Sequence, residues 1–102
     1  MAYREVNTNY KENVIMKILD IRSLETNETR TDGRYPLRIG SAVRFYVEPE
    51  PGYPMVLEYI CDNQGNPKSG YLRTSMVTEI EEHRLMNEVV VTTVNSIYYF
   101  KK

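Results

Sequence analysis

The chain has 102 residues and a mass of 12.0 kDa, enough for one domain with one modest core. Lys and Arg number 13 against 14 Asp and Glu, a formal net charge of −1. That balance lacks the basic excess of a dedicated nucleic-acid module and the strong acidity of a DNA mimic. Cys61 is the single cysteine, so neither an internal disulfide nor a cysteine-built zinc site can form.

Val, Ile, Thr, Tyr and Phe together supply 36 residues, whereas Ala supplies two. Branched and aromatic side chains suit a pleated, half-buried surface, so the composition predicts a mostly β protein. Residues 1–13 are polar and charged, without an apolar run. They read as an N-terminal arm, with no secretory leader. No window reaches the length of an apolar membrane span. With a lone free thiol, this predicts a cytoplasmic protein.

Residues 14–24 form the first apolar segment. Its apolar positions do not collect on one side of a helix, and the pattern predicts a strand with a bulge near Lys17. Residues 25–36 form a long polar loop with a turn at Asp32–Gly33. Leu37, Ile39, Val43, Phe45 and Val47 then alternate with polar or small residues, apart from an interruption at Gly40. That period of two predicts a strand, most securely over residues 42–48. Three prolines exclude residues 49–54 from a strand interior and leave a stiff loop that presents Tyr53.

Residues 55–62 read as a strand with Met55, Leu57, Tyr59 and Cys61 on one face. Residues 63–70 are dense in turn formers and read as a hairpin connection. Tyr71–Thr74 predicts a strand, Ser75–Val77 a short turn, and Thr78–Glu82 a further strand. Residues 83–87 reverse the chain. Two last strands follow about a turn at Asn95–Ser96. Five to seven short antiparallel strands at this spacing predict a small barrel within one domain. The barrel is assigned to residues 14–82 and an added C-terminal hairpin to residues 83–102.

The run from Gly70 to Ile80 resembles the late segment of Src-homology-3-like barrels. The resemblance implies a glycine opening the fourth strand (Gly70), a one-turn 3₁₀ helix that delivers a core valine (Val77), and a last short strand ending in an aliphatic residue (Ile80). The peptide-binding members carry a groove tryptophan, and this chain has none. Their polyproline binding is therefore not transferred. The ending from Thr93 to Tyr99 also resembles small proteins of bacterial mobile elements, a likeness that implies no activity.

Candidate chemistry is sparse. His83 is the single histidine and lies in a charged turn. Cys61 shares a strand face with Leu57 and Tyr59, as a small core residue would. Neither a nucleophile with its base, nor a phosphate loop, nor a metal-ligand pattern stands out. The expectation is a non-catalytic chain without metal or cofactor.

Arg30, Arg34, Arg38 and Arg44 fall close together with only Asp32 among them, interleaved with Tyr35 and Tyr46. They could track a nucleic-acid backbone, or they could be outward positions paired with Glu48, Glu50 or Glu58. Tyrosine is abundant, at nine residues. Tyr and Arg dominate binding hot spots because they bring large contact area at low entropic cost.

The expected function is a protein-binding or adaptor module using Tyr35, Tyr53, Tyr71, Arg34 and Arg44. The alternative is a small nucleic-acid-binding barrel using residues 30–44. Finally, residues 89–91 and 97–100 are apolar on consecutive positions, hence on both sheet faces. One face would pack on the barrel. The other, carried by Val90, Tyr98 and Phe100, would be covered by residues 1–13 or by a second copy in a homodimer.

Overall fold

A computed structural model describes residues 14–102 of the chain. The expected N-terminal arm, and any cover it provides, lies outside the described residues. Six antiparallel strands close into a barrel in sequence order: β1 (Met16–Ser23), β2 (Ala42–Phe45), β3 (Pro54–Cys61), β4 (Tyr71–His83), β5 (Glu88–Thr93) and β6 (Ser96–Lys101). A four-residue helix, α1 (Tyr35–Arg38), interrupts the connection from β1 to β2. The mostly β expectation holds, and six strands lie within the expected five to seven.

Alternation builds the core. Met55, Leu57 and Tyr59 of β3 point inward with Met16, Ile18 and Ile21 of β1 and Val89 and Val91 of β5. Phe100 is fully buried at the centre, 5.5 Å from the Phe45 ring and 6.2 Å from the Tyr98 ring between centroids. Four bulges add one residue each, at Leu19 in β1, Ile60 in β3, and Thr74–Ser75 and Thr78 in β4. Such bulges sharpen strand twist and help a small sheet to close. The first lies at Leu19, two residues beyond the expected position, which leaves Ile18 and Ile21 both inward.

The alternation expected from Leu37 does not produce a strand there. Pro36 lacks a ladder donor, and its fixed φ suits the first turn of α1. Leu37 is left exposed. Gly40 then takes φ +95°, and its N–H donates to the Ile18 carbonyl at 2.7 Å. A side chain at this position would press on Asn63, whose Cβ lies 3.2 Å from the place a Cβ would take. The strand proper therefore starts only at Ala42.

Ser75–Val77 is likewise not a helical turn. β4 runs unbroken for 13 residues and pairs first with β3 and then with β5. Gly70 does precede it, and Val77 is in the core with Ile80 packed against it.

The C-terminal hairpin is not an addition to a finished barrel. β6 pairs with β1 over Lys17–Ser23, so the closure itself depends on residues 96–101. This corrects the reading of Tyr98 and Phe100 as self-association residues. Both point inward, opposite Val91 and Val89, and offer no surface to another chain. Val90 does point outward, but it is only 8% exposed and stands between Glu81 and Tyr99 in the paired strands. The outer side of the hairpin thus leaves no open apolar patch at Val90.

Candidate functional site

The outer face of β2, β3 and β4 carries the most organised exposed aromatic group. Strand alternation turns Arg44, Glu58 and Tyr71 to the outside, and the registers set them side by side across three strands. Arg44 Nε donates to Glu58 Oε1 at 2.8 Å, with both side chains about one-third exposed. Tyr46 follows β2 directly, held by its N–H bond to the Val56 carbonyl at 2.9 Å. Its ring meets Tyr71 edge to face, 5.0 Å between centroids at 73°. Tyr46 is 53% exposed and Tyr71 59% exposed. Arg73 lies outward beside Val56.

The five residues expected to form one surface divide into separate groups. Tyr71 and Arg44 belong to the face just described. Tyr53 is exposed in the turn before β3, at the far end of the β3–β4 ladder from Tyr71. Its carbonyl accepts the Val77 N–H at 2.9 Å. Arg34 is exposed at the start of α1 and makes no capping bond.

Tyr35 is half-buried and packs against the core. The Arg30 and Arg38 guanidinium carbons lie 4.2 and 4.9 Å from its ring centroid. Contacts of this kind are favourable through the ring quadrupole. Arg30 also donates to Asp32 at 3.0 and 3.2 Å, to Ser96 Oγ at 2.9 Å and to the Asn95 carbonyl at 3.3 Å. The hydrogen bond from Arg30 holds the Asp32 carboxyl below its ordinary range. Arg30 thus fastens the β1–α1 excursion to the β5–β6 turn, around an open cleft of about 420 Å³.

Beneath Tyr35 lies Tyr98. Burial pushes its phenol up to about 12, and Arg38 beside the hydroxyl pulls weakly the other way. Burial also raises the Tyr59 phenol. The arginine group is therefore not a continuous basic strip. Arg30 and Arg38 brace Tyr35, and Arg44 pairs with Glu58 across the sheet.

Among the described residues, no group of three His, Cys, Asp or Glu side chains is placed to hold a metal. His83 stands exposed at the end of β4, with Nε2 3.8 Å from Glu81 Oε1. Cys61 is half-buried at the end of β3, beyond the bulge at Ile60, and does not join Met55, Leu57 and Tyr59 in the core as expected. No helix of the described residues is long and apolar enough to cross a membrane.

Tyr46 was expected only beside the arginine group and not among the protein-contact residues. Its signal was present, because Arg44 and Tyr46 alternate with Val43, Phe45 and Val47. What the spacing did not show was the reach of Tyr46 across β3 to Tyr71. Comparisons with protein families, curated proteins and solved structures find no match for the chain.

Proposed function

We propose that this protein is a non-catalytic binding module that engages another protein through the outer face of β2, β3 and β4. The observation that carries the reading is the Tyr46–Tyr71 pair, two rings held edge to face at 5.0 Å while more than half exposed. Both rings stand on or beside strands of a closed barrel, so little backbone order remains to be lost on binding. Preorganised aromatic area of this kind is what interface hot spots use. Arg44, already oriented by Glu58, adds a guanidinium at low further entropic cost. In this reading the barrel is of the Src-homology-3-like kind, with a working face that owes nothing to a tryptophan groove.

The test is affinity capture from the source cells with wild-type protein and a Tyr46→Ala/Tyr71→Ala variant. Circular dichroism first establishes that the variant folds. A partner retained by wild type and lost by the variant supports the reading. Equal capture by both overturns it. Arg30, Arg38 and Arg44 are engaged within the fold, and this favours a protein over a nucleic acid as partner.

A further inference from the structure

We propose that an extended, acid-bearing segment of another protein adds as a strand to the edge of β4 at Tyr71 and Arg73. The proposal rests on the reading of the Tyr46–Tyr71 face as a protein-binding surface.

The edge follows from the ladder register. Leu57 pairs with Leu72, Glu58 with Tyr71 and Val56 with Arg73, and the Tyr59 N–H donates to the Gly70 carbonyl at 2.9 Å. Hydrogen-bonded and non-bonded pairs alternate in an antiparallel ladder. Leu57 and Leu72 therefore exchange bonds, while Tyr71 and Arg73 turn their main-chain groups away from β3. The Tyr46 N–H bond to the Val56 carbonyl agrees with this, because Val56 must then face β2.

On the other side of β4, pairing with β5 begins only at Val77, opposite Thr93, with the Val94 N–H on the Met76 carbonyl at 3.0 Å. Among the described residues, no strand pairs with β4 at Tyr71 and Arg73 from that side. Among the described residues, the N–H and C=O groups of these two residues thus face no partner strand on an otherwise closed barrel.

The side chains define what fits. Tyr71 presents an exposed ring beside Tyr46. Arg73 is exposed and makes no hydrogen bond or ion pair among the described residues. Glu58, the nearby acid in the ladder, is taken by Arg44 at 2.8 Å. An added strand therefore meets an aromatic ring and, two residues on, a cation without a carboxylate. Main-chain bonds supply affinity in strand addition, and alternate side chains supply specificity. An apolar residue opposite Tyr71 and a Glu or Asp opposite Arg73 satisfy both positions. The extra β4 residue at Thr74–Ser75 ends the straight edge, so the added segment is short.

The test uses isotope-labelled protein and two blocked peptides of alternating valine and threonine, one with a central glutamate and one with a central lysine. The expected result is binding of the glutamate peptide about fivefold more tightly than its lysine twin. The Tyr71 and Arg73 amides should gain protection from hydrogen exchange. Arg73→Glu should invert the preference. Shifts at the Tyr46 and Tyr71 rings without amide protection overturn strand addition and leave the binding face standing. Failure of both peptides to perturb either the rings or the amides, with a captured partner that still depends on the two tyrosines, also overturns strand addition alone. Loss of that tyrosine-dependent capture sinks the underlying reading. Amide protection that rises with protein concentration alone, without peptide, overturns the proposal in favour of a second copy of this chain.

Discussion

The Thr93 hydroxyl closes the last hairpin on Ser96 from both directions. It accepts the Ser96 N–H at 3.0 Å and donates to the Ser96 carbonyl at 3.1 Å, and both residues are buried. Thr93→Val keeps the shape and removes both bonds, leaving a buried N–H without its acceptor. The expected loss is about 1–3 kcal/mol. Urea unfolding measures it, and Thr93→Ser should recover most of the loss.

The two apolar faces of the hairpin should respond differently. Phe100→Ala opens the centre of the barrel and should cost about 3–5 kcal/mol, a large share of a small domain's stability. Val90→Lys should cost less than Phe100→Ala although Val90 is largely buried, because its outer position lets the lysine stem lie along the sheet with the ammonium near Glu81. Thermal melts of the two variants decide the matter. Unfolding of Val90→Lys would place that side chain in the core instead.

Alkaline pH should unfold the protein through Tyr98. Its folded phenol titrates at about 12 instead of 10, because burial disfavours the phenolate. A raised folded value contributes stability that is fully present below pH 10 and is lost as pH rises towards about 12. The linkage amounts to about 3 kcal/mol. Phenolate absorbance should show Tyr98 ionising only with loss of structure. Tyr98→Phe should stay folded to higher pH.

Arg30 should govern how tightly the β1–α1 excursion is held. Arg30→Ala removes the bonds to Asp32, Ser96 and the Asn95 carbonyl together with the contact on Tyr35. Trypsin should then cut faster at Arg34 and Arg38, while cleavage outside residues 30–38 stays unchanged. Equal rates in variant and wild type would mean that Tyr35 packing alone fixes this segment.

The legible parts of the fold were those governed by local pattern. Residues 55–59 alternate, and Met55, Leu57 and Tyr59 form the expected inward face of β3, whereas the bulge at Ile60 takes Cys61 out of it. The reversal at residues 83–87 was also legible, since Asn87 adopts the left-handed conformation that asparagine tolerates. The alternation beginning at Leu37 misled because a period of two cannot register that Pro36 and Gly40 disrupt the ladder. For the site, cross-strand pairing of an arginine with Glu48, Glu50 or Glu58 was legible, and the register selects Arg44 with Glu58. The separation of Tyr35 from Tyr71 was not, because both are simply tyrosines near arginines until the chain closes.

By itself the sequence determined a mostly β domain of short strands, since side-chain type and period act within a few residues. Tertiary structure decided where the apolar surplus of residues 89–100 would go. Closure of β6 against β1 turns Tyr98 and Phe100 inward, a pairing across about eighty residues that no local pattern encodes. One small core thereby absorbs what composition alone left without a destination, and the exposed aromatic surface passes instead to Tyr46 and Tyr71.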